Sequence, residues 1–223
     1  MSLVDRVPVN ESNRETRQAL ALLVDVSESM RNDLPAVQEG LSRLREALTT
    51  DTVARNCVEI AFLTFGGVVK QHGDFAEVSG FEVPQLVPNG NTPMAAALDE
   101  AVNLVEAKKA AYKAAGLQYH RPWIYLITDG EPTDENGLWA RAVDRIQRAE
   151  REQKVALYAV GTETANFARL GELCVGERKP LKLKGHNWSG MFEWLKATLV
   201  AQSRTKSGEK AKFPSPGGWG ESP

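Results

Sequence analysis

Asp25, Ser27 and Ser29 alternate along the stretch Leu22-Leu23-Val24-Asp25-Val26-Ser27-Glu28-Ser29-Met30 and offer only oxygen to whatever they face. One carboxylate with two hydroxyls suits a hard cation such as Mg²⁺. The same residue types also form N-cap clusters ahead of a helix, and the pattern alone does not separate the two readings. The apolar run before Asp25 reads as a short buried strand, which places Asp25 at its carboxyl end. A carboxylate there is poor core filler, because an unpaired charge is costly to bury.

Two further stretches carry oxygen at comparable places. In Gly90-Asn91-Thr92-Pro93-Met94, Thr92 is a good N-cap and Pro93 fits the first helical position. In Pro122-Trp123-Ile124-Tyr125-Leu126-Ile127-Thr128 a second apolar run ends at an acid, Asp129, and Gly130, Pro132 and Asp134 mark a tight turn after it. Glu131 and Asp134 read as turn-forming, ahead of a supporting role behind the site. Open α/β sheets bind ligands beyond the carboxyl ends of their strands. The three stretches can therefore deliver Asp25, Ser27, Ser29, Thr92 and Asp129 to one edge. Two carboxylates and three hydroxyls do not fully cage a cation. Such a site keeps waters and one open position, which a carboxylate from outside could fill.

The elements that must position these residues follow from periodicity. Strands are expected at about 20–26, 57–65, 122–128, 154–160 and 180–184. Gly66-Gly67 can turn the second of these into an antiparallel edge strand at 68–71, and 72–91 reads as loop with a short extended piece near 75–77. Helices are expected at about 34–49 (Val37, Leu41, Leu44 and Leu48 inward), from Thr92 to about 115, at 137–152 (Leu138, Ala142, Ile146 and Ala149 inward), at 165–171 and at 189–203. Strands alternating with helices imply an α/β fold of Rossmann-like, doubly wound form. Its central sheet is mainly parallel, with one antiparallel edge strand and helices on both faces.

Residues 1–17 read as an N-terminal arm, with a short edge strand around Val7-Pro8-Val9, and 18–203 as the folded domain. Residues 204–223 have almost no aliphatic side chains and read as a disordered tail, in which Trp219 is an isolated exposed aromatic or a docking anchor. The chain has 223 residues, 42% hydrophobic and 25% charged, which suits one large globular domain. A formal net charge of −2 argues against a general nucleic-acid or anionic-membrane surface. Only two cysteines occur, Cys57 and Cys174, outside any Cys-x-x-Cys pair, which fits free thiols in a reducing compartment. With no apolar leader segment and no run long enough to span a bilayer, a cytoplasmic location is expected.

Asp25-x-Ser27-x-Ser29, then Asn91-Thr92-Pro93-Met94, then Thr128-Asp129-Gly130-Glu131-Pro132-Thr133-Asp134 together resemble the von Willebrand factor A domain and its metal-ion-dependent adhesion site. The resemblance covers about 18–203. The wording Arg121-Pro122-Trp123-Ile124-Tyr125-Leu126-Ile127 before the last segment is most similar to bacterial members of the tellurite-resistance Y type. The resemblance implies that Ser27, Ser29 and Thr92 bind a divalent metal directly. It implies that Asp25 binds it directly or through water, and Asp129 usually through water. The metal implied is Mg²⁺ or Mn²⁺, with Ca²⁺ as a further candidate. It also implies a protein partner that supplies an Asp or Glu carboxylate, and a stress-response setting beside kinase- and phosphatase-like signalling proteins. Glu28 departs from the family, which often has Gly there, and the tail lacks the cysteines of relatives that carry a zinc-binding extension.

The other chemical reading is a phosphatase-like, Mg²⁺-dependent α/β hydrolase using Asp25. Phosphoryl-transfer aspartates of that kind want a second acid two residues on, where this chain has Ser27. A P-loop, a Gly-x-Gly-x-x-Gly turn and a Gly-x-Ser-x-Gly elbow are all missing. His72, His120 and His186 stand apart, without metal-ligand spacing. The residues therefore favour binding without catalysis.

Overall fold

The computed structural model describes residues 7–206 and 209–223. The first six residues of the expected arm, and 207–208 of the expected tail, lie outside the described residues. One eight-stranded sheet runs through the molecule: β1 (Gln18–Asp25), β2 (Val58–Gly66), β3 (Val68–Gln71), β4 (Ala76–Glu77), β5 (Trp123–Thr128), β6 (Ala156–Gly161), β7 (Leu181–Leu183) and β8 (Gly220–Glu221). The spatial order is β3-β2-β1-β5-β6-β7-β8, with β4 also paired to β2. The four long strands and β7 are mutually parallel, and β3, β4 and β8 are antiparallel to their neighbours. The expected edge strand at 68–71 is present. A second antiparallel edge, β8 against β7, was not legible from the sequence.

β1 shows why the sheet needs helices on both faces. All eight of its residues are buried, an apolar run being what a central parallel strand requires. Leu20, Leu22 and Val24 face one core with α1 (Leu34–Thr50) and the last helix, and Ala19, Ala21 and Leu23 face the other. A one-turn helix, α2 (Ala54–Cys57), leads into β2. The second core is closed by α3 (Met94–Ala114), α4 (Asn136–Arg151) and the short α5 (Phe167–Glu172). The last helix, α6 (Trp188–Ser203), lies against α1 so closely that a Cβ on Gly40 would meet the Phe192 ring at 2.0 Å. Both cysteines are free, and burial pushes each thiol up to about 11.

Several expectations need correction. Residues 7–9 form no strand; the segment instead crosses the amino end of the sheet, where Val9 packs on the second core and the Pro8 carbonyl accepts from Lys108 Nζ at 2.7 Å. Leu138 is 44% exposed and Trp139 takes the inward place, three residues before Ala142 on the face that Ala142, Ile146 and Ala149 bury as expected. The largest correction concerns the tail. Trp219 is only 3% exposed and lies 5.4 Å from the Trp194 ring, and its carbonyl accepts from Lys184 N at 2.8 Å. Phe213 meets Trp123 edge-on, and Pro214 O accepts from Trp194 Nε1. A few aromatic anchors and one strand pairing order a segment whose composition lacks aliphatics.

Candidate metal centre at the carboxyl edge

β1 and β5 are neighbours, so their last residues end side by side. Asp25 closes β1 with no exposed surface. Its Oδ1 accepts from Ser27 N at 2.8 Å and its Oδ2 from Thr128 Oγ1 at 2.6 Å. The first bond tightens the turn after the strand and fixes where Ser27 points. The second ties Asp25 to the end of β5, one residue before Asp129. A 3-10 turn (Glu28–Asn32) carries Ser29. Ser27 Oγ and Ser29 Oγ lie 3.0 Å apart, and Ser29 Oγ donates to Asp129 Oδ1 at 2.9 Å.

Thr92 arrives from a third segment and is 4% exposed. Its amide donates to Thr133 Oγ1 and its carbonyl accepts from Thr133 N, both at 3.0 Å. The loop after β5 is thereby clasped to the start of α3. Gly130 lies at the centre: a Cβ there would sit 3.3 Å from Thr92 Oγ1 and 3.4 Å from Asp25 Oδ2. Asp25, Ser27, Ser29, Thr92 and Asp129 thus converge. The expected capping role of Thr92 is corrected. Pro93 occupies the N-cap position without a side-chain cap, and Asp134 Oδ2 instead accepts from Ala95 N at 2.9 Å. Proline at that place leaves the Thr92 hydroxyl outside the first helical turn. The cap therefore comes from across the chain.

Burial pushes the Asp25 carboxyl up to about 6, although hydrogen bonds from Thr128 and Ser27 pull it down and the Asp129 charge adds to the rise. Burial likewise raises Asp129, with Asp33 adding to it and the Ser29 hydroxyl opposing. Among the described residues, none of the groups acting on either carboxylate is a cation. Two acids share a pocket of hydroxyls with no positive charge, an arrangement that favours protonation or a bound cation. The donor set fits a hard ion, being all oxygen. The fit extends to spacing: neighbouring ligands of an octahedral Mg²⁺ lie about 2.9 Å apart, close to the Ser27–Ser29 and Ser29–Asp129 separations of 3.0 and 2.9 Å.

Thr128 and Thr133 did not stand out from the sequence as supports, and Asp134, for which a turn-forming role was favoured over a supporting one, caps α3. The signal for Thr128 was a hydroxyl closing an otherwise apolar strand beside an acid. The sequence also left His186 without a partner, whereas His186 Nδ1 and Trp188 Nε1 both meet Asp33 Oδ1, at 2.8 and 2.7 Å. His72 meets Thr64 Oγ1 at 2.8 Å, and His120 is buried; neither approaches the five oxygen donors through a hydrogen bond.

The family model for the von Willebrand factor type A domain matches residues 19–187. The chain belongs to this family. Three solved structures show the breadth of the von Willebrand A fold it shares. The pilus adhesin SpaC from Lactobacillus rhamnosus GG superposes with a TM-score of 0.68 at 12% identity, over 85% of this chain and 32% of that one. The vWF domain of the type V pili tip protein Mfa5 from Porphyromonas gingivalis gives 0.63 at 11% identity, over 86% and 98%. Proximal thread matrix protein 1 from the mussel byssus, with a zinc-occupied MIDAS motif, gives 0.57 at 14% identity, over 83% and 48%. This chain spans less than half the length of the first and third. No curated protein matches the sequence. Among the described residues no helix is long and apolar enough to cross a membrane.

Proposed function

We propose that this von Willebrand A domain is a divalent-metal-dependent protein-binding module without catalysis. The observation that carries the reading is the convergence of Ser27, Ser29, Thr92, Asp25 and Asp129 from three segments onto one point, with hydroxyl and carboxylate oxygens spaced as ligands of one ion. These residues would hold Mg²⁺, or Mn²⁺ or Ca²⁺ in its place, which would supply Lewis acidity toward a partner's Asp or Glu carboxylate. Ser27, Ser29 and Thr92 present the direct ligands. Asp25 holds Ser27 in place through its backbone and balances charge, and Asp129 stands behind Ser29. Pairing of both Asp25 oxygens with Ser27 N and Thr128 Oγ1 supports a holding role over that of a nucleophile.

The wording of the 121–134 segment supports a placement beside the bacterial tellurite-resistance Y type. On that placement it acts in the cytoplasm in a stress-response system, with kinase- or phosphatase-type signalling proteins as partners and no nucleic-acid or membrane ligand. Two free cysteines fit a reducing compartment. Calorimetric titration of Mg²⁺, Mn²⁺ and Ca²⁺ into wild type and Asp25→Ala tests the site: uptake by wild type alone is expected, and equal uptake by both defeats the assignment. Saturable, Mg²⁺-dependent hydrolysis of a phosphate ester that Asp25→Asn abolishes would overturn the non-catalytic reading.

A further inference from the structure

Four large hydrophobic side chains stand well exposed among the described residues, and three of them, Val68 opening β3, Val87 in the loop before α3 and Leu138 in the first turn of α4, lie in segments that border the carboxyl edge. Scattered exposed aliphatics are ordinary on a soluble protein. Here the segments of the two valines are fastened to the five-oxygen site. Val68 follows Gly67, whose amide donates to Asn91 O at 2.7 Å, one residue before Thr92. Val87 leads into Asn89, whose amide donates to Val26 O at 2.7 Å and whose side chain donates to Gly66 O at 2.8 Å. Glu28 N donates to Gly90 O at 3.1 Å, so the hairpin tip, the 87–91 loop and the Ser27–Ser29 turn form one bonded unit. The valines are 66% and 62% exposed on backbone that is already ordered, so a partner covering them would lose little loop entropy.

Charge divides the same rim. On the β3 side Lys70 is exposed, two residues along from Val68 and on the same face of the strand. On the α4 side Glu131 and Glu135 are exposed, ahead of Leu138. Glu28, beside the serines, is matched by Arg31 at 2.5 Å. A carboxylate arriving at the centre therefore meets an apolar, basic flank on one side and an acidic flank on the other.

Resting on the metal-bridge reading above, we infer that the partner segment is an acidic residue with an aliphatic side chain on one side and a Lys or Arg on the other. The aliphatic residue covers Val68 and Val87, and the base faces Glu131 and Glu135. Because Lys70 repels a base on the valine side, the segment binds in one direction.

The test is selection from displayed peptides with a fixed central Asp and randomised flanks, on the full chain, with Mg²⁺ and in parallel with a chelator. Wild type is expected to enrich an aliphatic on one flank and Lys or Arg on the other, in Mg²⁺ only. A peptide so enriched should bind Val68→Ser/Val87→Ser about tenfold more weakly, while calorimetry shows undiminished Mg²⁺ uptake. Glu131→Lys/Glu135→Lys should lose the basic preference and gain an acidic one. Metal-dependent recovery with no flank preference, or with the same preference in wild type and both variants, overturns the inference and leaves the metal bridge standing. Recovery that ignores the chelator, or none above a control without protein, overturns the metal bridge and this inference with it.

Discussion

The two ends of the central strands each bury a carboxylate, and they treat it in opposite ways. At the amino end, Glu59 of β2 is 2% exposed and lies between Arg17 and Lys108, both without exposed surface. Lys108 Nζ pairs with its Oε2, Arg17 Nε lies 3.5 Å from its Oε1, and Arg17 also reaches Glu77 at 3.6 Å. The cations have further work: Arg17 Nη2 donates to Asn10 O and Asn13 O, both at 2.8 Å, and Lys108 to Pro8 O. Charges of both signs are matched, and the cluster pins the arm across the sheet. At the carboxyl end Asp25 is equally buried, yet its partners are hydroxyls and an amide. The difference teaches how to tell an architectural buried acid from a functional one. A matched acid is consumed by the fold, and an acid met only by neutral donors leaves a charge for something else to match.

The largest expected effect comes from breaking the matched end. Lys108→Met leaves Glu59 buried with one cation instead of two, and should cost about 3–5 kcal/mol in denaturant unfolding. Whatever fraction folds should take up Mg²⁺ like wild type. Loss of metal uptake in a folded Lys108→Met protein would show that the two ends are not independent.

The unmatched end should respond with the opposite sign. Burial pushes the folded Asp25 carboxyl up to about 6, from an ordinary carboxylate value of 3.8. A raised acid pKa means the folded state holds that proton more tightly than the unfolded state does. In chelator, this group's contribution should therefore favour folding below pH 3.8, decline as pH rises, and be lost above about 6. Asp25→Asn should remove the dependence. Relative to wild type in chelator it should gain on the order of 2 kcal/mol at neutral pH, while losing metal uptake. Stability curves for the two proteins that run parallel across this range would count against an unmatched charge at Asp25.

The smallest effect separates ligand from scaffold within the same loop pair. Asp134→Ala removes the side chain that caps α3 and should cost about 1 kcal/mol of stability. Thr92→Ala removes a hydroxyl aimed at the centre and no cap. It should weaken Mg²⁺ uptake with less effect on the unfolding midpoint. A larger stability loss in Thr92→Ala than in Asp134→Ala would restore Thr92 as the cap.

What could be read from the sequence was whatever repeats locally. The buried strands announced themselves as apolar runs because parallel strands bury both faces. Val37, Leu41, Leu44 and Leu48 announced α1 by period. Acids closing two such runs, with Thr92 opening a helix, point five oxygen donors to one edge, since strand direction fixes which ends are neighbours. What the sequence could not decide depends on which distant groups meet. Tail residues 209–223 have the composition of a disordered segment. Their order comes from Trp194, Trp123 and the free edge of β7, partners supplied by other parts of the chain. The cap on α3 comes from Asp134, far along the chain from Thr92, the residue that local rules nominated, and in the same clasp as the Thr92–Thr133 pair. Nothing local pairs Arg17 or Lys108 with an acid, and only folding brings both to Glu59. Local patterns report what a residue does to its own backbone, whereas caps, anchors and charge partners are set by contact energies between segments far apart in sequence, and those exist only once the sheet has assembled.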